Sequence, residues 1–85
     1  MKHRATESFW KRYDALPDSV KILADKSYAL LQHNPRYPGL HFKKIDSELW
    51  SVRVGVGHRA LALQNPDGFD WFWIGTHAEY DRLIG

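Results

Sequence analysis

Cysteine is missing from all 85 residues. That absence excludes a disulfide framework, a thiolate zinc site and a cysteine nucleophile, and it fits a reducing compartment. No apolar run approaches the length of a membrane span, and Met1-Lys2-His3-Arg4 leads into no apolar signal segment. A cytoplasmic domain without a membrane partner is therefore expected. The five histidines are scattered, with no pair at the i, i+4 spacing of a helical zinc site. Gly55-Val56-Gly57 lacks the helix and lysine that would make it a phosphate loop. Neither a metal nor a cofactor is expected. With no internal repeat and no linker, residues 1–85 read as a single domain.

What is present suits a small globular fold: 44% hydrophobic residues, 26% charged, and twelve aromatics, four of them Trp. Trp10, Trp50, Trp71 and Trp73 read as core, although four indoles are hard to bury completely in so small a domain. Net charge is only +2. The cations are nonetheless concentrated: Arg36, Lys43, Lys44, Arg53 and Arg59 fall in one stretch against Asp46 and Glu48, with His41 and His58 added. A basic centre with neutral flanks fits an anionic ligand such as RNA.

Hydrophobic periodicity divides the chain in two. Thr6 is a suitable N-cap, and Phe9, Tyr13 and Leu16 repeat at helical spacing. Leu16-Pro17-Asp18 breaks that helix and starts a second, from about Asp18 to His33, with Val20, Leu23, Ala24, Ser27 and Leu31 along one stripe. From Leu40 the period becomes two. The expected strands begin with Leu40, Phe42 and Ile45, then Trp50 to Val54, then His58 to Leu63, then Phe69 to Gly75. In the last of these Trp71 and Trp73 should oppose Phe72 and Ile74. Asn65-Pro66-Asp67-Gly68 is a hairpin turn. Thr76-His77-Ala78-Glu79 is a capping box that opens a short terminal helix. The predicted fold is α+β: an N-terminal helical hairpin on a four-stranded, mainly antiparallel sheet, closed by a short C-terminal helix.

The chemistry-bearing residues on that sheet are His41, Lys43, Lys44, Arg53, Arg59, His77 and Tyr80. Arg53 shares parity with Ser51, opposite the apolar row Trp50, Val52 and Val54, so it belongs on the open face. Arg59 shares parity with Leu61 and Leu63, which points it toward the core unless the neighbouring Gly57 redirects it. Such a set fits RNA cleavage by the ribose 2′-hydroxyl, in which cations hold the phosphorane and a histidine moves a proton. Each member also has an ordinary alternative. His77 is a usual kind of residue at a helix start. Arg53 and Arg59 can be solvated or paired with Asp46, Glu48 or Asp70. Lys43-Lys44 can guard a sheet edge, and Tyr80 can pack on Trp73.

Four segments, Leu40-His41-Phe42-Lys43-Lys44-Ile45, Leu49-Trp50-Ser51-Val52-Arg53-Val54, His58-Arg59-Ala60-Leu61 and Trp73-Ile74-Gly75-Thr76-His77-Ala78-Glu79-Tyr80-Asp81, resemble the RelE/ParE toxin superfamily of bacterial type II toxin–antitoxin systems. The resemblance implies a microbial-RNase-like toxin that a cognate antitoxin neutralises. In the RelE-like branch it implies a ribosome-dependent mRNA endonuclease that inhibits translation without a metal. By position it makes Arg59, Arg53, His77 and Tyr80 the catalytic set, and Lys43, Lys44 and His41 the substrate-binding set. The alternatives are a ParE-like toxin that binds DNA gyrase and cleaves nothing, or an inactive relative that only binds antitoxin. Two departures stand out. Met1-Lys2-His3-Arg4 is too short for the leading strand many members carry, which predicts an altered sheet edge. No dedicated base is evident either: Glu48 is the nearest carboxylate, leaving His41 or a lysine for that part.

Overall fold

The computed structural model describes residues 2–85. Its elements are β1 (Lys2–Ala5), α1 (Glu7–Asp14), α2 (Asp18–His33), a 3-10 turn (Pro38–Leu40), β2 (Lys43–Asp46), β3 (Leu49–Val54), β4 (His58–Asn65), β5 (Gly68–Thr76) and α3 (His77–Ile84). The α+β class, the two successive helices and the closing helix are as the periodicity predicts. The strand count is not. Five strands form one sheet in the order β1-β5-β4-β3-β2, with β1 parallel to β5 and the other pairs antiparallel.

The added strand is the very segment that looked too short. Lys2, His3, Arg4 and Ala5 pair with Gly68, Phe69, Asp70 and Trp71. Its inward positions are filled by a histidine and an alanine, so no strong apolar alternation betrays it. The His3 ring stacks on Phe69 at 5.6 Å, and its Nδ1 accepts the Trp71 indole N–H at 3.1 Å. Burial holds the His3 pKa below its ordinary value. Gly68 is what lets β1 approach: at φ +154° it leaves bare the spot where a Cβ would run into the Lys2 carbonyl.

Beyond β1 the chain continues along the same edge of β5. Thr6 N–H donates to Trp71 O at 2.9 Å, Ser8 Oγ to Phe72 O at 3.0 Å, and Arg12 Nε to Ile74 O at 2.7 Å. Helix α1 thus closes an edge that would otherwise offer free carbonyls to another chain. Thr6 caps α1 as expected, accepting from Phe9 N–H. Helix α2 packs over β3, and Tyr13 OH donates to Asp25 at 2.8 Å, tying the two helices together.

Two local details depart from simple alternation. Leu40 does not begin a strand: it ends the 3-10 turn as a core residue, and His41 follows at φ +46° before β2 starts at Lys43. Pro38 and Gly39 favour that turn over extension. In β5 the register shifts between Leu61 paired with Trp73 and Ala62 paired with Trp71, so Phe72 is the extra residue of a bulge. Trp71 and Ile74 therefore share the helix-side core, whereas Trp73 joins Leu61 and Tyr80 on the other side. Three indoles are buried or half-buried, and Trp10 stays 49% exposed on α1.

Candidate functional site

The face of the sheet turned away from α1 and α2 carries the cations. Arg53 of β3 lies directly opposite Arg59 of β4, which in turn lies opposite Gly75 of β5. Ser51, Leu61 and Trp73 form the adjoining row, and Lys43 of β2 extends it through its pairing with Ser51. Arg53 is on the open face, as its parity predicts. For Arg59 the alternation is unbroken, but its direction differs from the expectation. The small residues Ala60 and Ala62 face the helices, where Trp71 and Ile74 take the space, and the larger Leu61 faces α3. Arg59 is consequently beside Arg53 and yet buried, at 9% exposure.

Like charges directly opposite on neighbouring strands repel. Neither of these arginines has a carboxylate partner among the described residues; the ion pairs involve Arg4, Lys11, Arg12 and His77 instead. The Arg59 Nε and Nη1 atoms are shielded from solvent and have no hydrogen-bond partner among the described residues. Its guanidinium sits 5.1 Å from the Tyr80 ring centroid, a cation–π contact that offsets part of the lost hydration. A buried guanidinium with unpaired donors has the chemistry to receive an anion.

Arg53 is held differently. Its Nε donates to Gly55 O at 3.0 Å, and its Nη1 meets His41 Nε2 at 3.4 Å. An arginine only donates, so that contact requires His41 Nε2 as acceptor. His41 stands in the left-handed region at φ +46°, a conformation that non-glycine residues adopt uncommonly and that Asn, Asp and His adopt most readily. The site thus joins His41 to Arg53 and Arg59. Lys43 shares their face, whereas Lys44 pairs with Trp50 and shares the helix side of the sheet edge. Glu48 precedes β3, five residues from Arg53, or about 16 Å along a strand rising ~3.3 Å per residue. That separation removes it as a base for chemistry at the arginines.

Helix α3 closes the site. Its capping box is formed: Glu79 N–H donates to Thr76 Oγ1 at 3.1 Å, and Thr76 N–H donates to Glu79 Oε1 at 2.9 Å. The Thr76 donors and then Arg12 hold the Glu79 pKa below its usual value. His77 follows the cap, its own N–H bonded to Gly57 O at 2.8 Å. Its Nδ1 lies 3.1 Å from Asp81 Oδ2. An ionised carboxylate only accepts, so Nδ1 carries a proton and Nε2 is left for other chemistry. Tyr80 is 5% exposed, its ring packed with Leu61 and Trp73 and its hydroxyl donating to Ser51 Oγ at 3.3 Å. That ring is out of reach for stacking on a base in this conformation.

Three further residues, Asp81, Ser51 and Arg12, support the site without being among the candidates the sequence singles out. Asp81 was legible, since it stands four residues after His77 on one helix face. Ser51 had a weak signal, a small polar residue within an apolar strand. Arg12 had none: it reaches the site only because α1 lies along the edge of β5.

Neither a protein-family model nor a curated protein matches the chain. Solved structures do. The chain is similar to the RelB–RelE antitoxin–toxin complex from Methanococcus jannaschii, with a TM-score of 0.74 at 15% identity over 96% of this chain and 99% of that one. It is also similar to a copper-bound mutant toxin from Helicobacter pylori, with a TM-score of 0.64 at 20% identity over 93% and 97% of the two chains. The chain has the RelE-like toxin fold.

Proposed function

We propose that this chain is the toxin of a type II toxin–antitoxin pair and that it cleaves mRNA on the ribosome, working in the cytoplasm. The observation that carries this reading is Arg59: a buried guanidinium with two unpartnered donors, opposite a second arginine and beside a histidine-bearing helix. A phosphodiester brings the negative charge that this pair lacks. Arg59 and Arg53 grip its non-bridging oxygens, and Lys43 continues the cationic surface toward β2, with Lys44 at the rim.

The placement supports cleavage through the ribose 2′-hydroxyl. A base takes the proton from the ribose 2′-hydroxyl, whose oxygen attacks phosphorus. His41, whose Nε2 meets Arg53 at 3.4 Å, takes that part once the 2′-hydroxyl replaces Arg53 at the Nε2 lone pair. The arginines hold the charge that grows on the phosphorane. His77, steadied through Nδ1 by Asp81, gives a proton from Nε2 to the departing 5′-oxygen, leaving a 2′,3′-cyclic phosphate. Tyr80 assists through its ring, which sets the Arg59 guanidinium, and not through its Ser51-bound hydroxyl. The partner that restrains the activity is a cognate antitoxin, in keeping with the RelB-bound state of the Methanococcus structure.

The test is to add the purified chain to a ribosome-containing translation extract and follow protein synthesis and mRNA length together. Arrested synthesis with shortened mRNA is expected, and His77→Ala should lower turnover far more than RNA binding. Arrested DNA supercoiling by gyrase with intact mRNA would place the chain in the ParE-like class. Intact mRNA and active gyrase would leave an antitoxin-binding relative without activity.

A further inference from the structure

Helix α3 has eight residues, too few to hold its own position in water. Besides its cap and the buried Tyr80, it has, among the described residues, one tether to another element of the fold that involves charge. Arg12, in the last turn of α1, donates from Nη2 to Glu79 Oε2 at 3.2 Å and from Nε to Ile74 O at 2.7 Å. Its guanidinium also lies 4.9 Å from the centroid of the Trp73 ring. Glu79 meanwhile uses its other oxygen to cap Thr76. One carboxylate therefore starts the helix and fastens it to α1.

The same arginine borders the reactive row. A Cβ at Gly75 would come within 2.9 Å of Arg12 Nη2 and 2.5 Å of the Trp73 ring. Gly75 is the residue paired with Arg59. A side chain there would displace the tether, so the bare position and the Arg12–Trp73 contact belong together. From this tether hang both His77, the first residue of α3, and Tyr80, whose ring sets Arg59.

We infer that Arg12 and Glu79 are positioning residues, an ion pair that holds α3 so that His77 and the Tyr80 ring stay in register with Arg59. The inference rests on the ribonuclease reading. Neither residue is assigned contact with RNA. A shift of about 1 Å in a proton donor costs roughly a hundredfold in rate, so loosening α3 impairs the chemical step. RNA binding is spared, because the surface cations of β2 and β3 are untouched and Arg59 becomes less covered.

The experiment measures mRNA cleavage against the concentration of programmed ribosomes, giving kcat and KM separately. Arg12→Met keeps the apolar stem on Trp73 and removes the fork. Glu79→Gln keeps an oxygen for the Thr76 cap and removes the charge facing Arg12, which separates tether from cap. Each should lower kcat about ten- to a hundredfold with KM unchanged or lower, and the double variant should be no more than about threefold worse than either single. A rise in KM at constant kcat, unchanged kcat, or multiplicative losses in the double variant would each overturn the inference. Amide exchange supplies a readout without catalysis: Arg12→Met should speed exchange in Ala78–Arg82 at least tenfold and leave β4 and β5 as they were. If the unaltered chain leaves mRNA intact, the ribonuclease reading fails while exchange still decides the tether. Unchanged protection of α3 then defeats it.

Discussion

The two faces of the sheet are made from the same strands by opposite rules. On the helix side, Val52, Val54, Ala60, Ala62, Phe69, Trp71 and Ile74 pack with Leu31 and Leu40, with small residues opposite large ones. Polar groups there are matched, as where the Trp71 indole meets His3. On the α3 side lies a smaller cluster of Leu61, Trp73 and Tyr80, with the Tyr80 ring against Arg59, whose Nε and Nη1 have no partner among the described residues. One face contributes stability through apolar burial. The other bears a cost, an unneutralised cation beside a second one, of the kind a fold retains where a ligand supplies the missing charge.

The sharpest way to break this contrast is Arg59→Met, which replaces the buried cation by an apolar side chain of similar length. Cleavage should fall about 10²- to 10³-fold, as for loss of a preorganised charge donor. Stability should hold or rise by about 1 kcal/mol, because an unpaired buried charge is removed. Urea unfolding and the mRNA assay measure the two together. Loss of more than about 2 kcal/mol of stability would mean that Arg59 is a structural member of the α3 side and no receptor. Leu31→Ala is the mirror experiment on the helix side. Its cost is about 3 kcal/mol of stability, from transfer and cavity terms, with cleavage per folded molecule unchanged.

Tyr80→Phe divides the α3 side itself. The substitution removes the hydroxyl bonded to Ser51 and keeps the ring against Arg59. Stability should drop by about 1 kcal/mol, because Ser51 Oγ is left without its donor in a buried place. Cleavage should stay within a few-fold of the original. A loss above tenfold would give the hydroxyl a direct part in the chemistry and would require α3 to open during the reaction.

How far the sequence revealed these faces depends on what each signal encodes. Period and punctuation locate α1, α2, the hairpin turns and the α3 cap, since those depend on residues close in the chain. Parity places Arg53 correctly, because one apolar row, Trp50, Val52 and Val54, is continuous. Parity misleads at β4: hydrophobicity alone ranks Leu61 above Ala60, while packing against bulky Trp71 and Ile74 calls for the alanines. The bulge at Phe72 reverses half of β5, and nothing in four consecutive apolar residues marks it. β1 carries no such signal, because its inward residues are a histidine and an alanine and its partner lies more than sixty residues away. Among the candidate site residues, strand parity places Arg53 and cap logic places His77 and Tyr80 on α3, whereas Arg59 lies on the strand where parity misleads. The His41–Arg53 contact depends on one left-handed residue, and Arg12 on a tertiary route along a sheet edge.

His3 carries the smallest effect, and it tests the helix side from its edge. Its ring accepts from the Trp71 N–H, which an imidazolium cannot do, and its folded pKa lies below the ordinary histidine value. A depressed folded pKa means that the unfolded chain binds the proton more readily. The contribution of His3 is therefore complete above about pH 6.5 and is lost as the pH falls from there through the lower folded value. The loss should stay under about 1 kcal/mol, because the ring is only half-buried and solvent screens its charge. His3→Phe keeps a ring on Phe69 and Trp71 and removes the titration. Urea unfolding at pH 8 and pH 5 should show the unaltered chain losing more stability on acidification than this variant. Equal losses would mean that the Trp71–His3 bond carries no weight in fastening β1. The parallel strand would then rest on its backbone pairing and the fit at Gly68 alone.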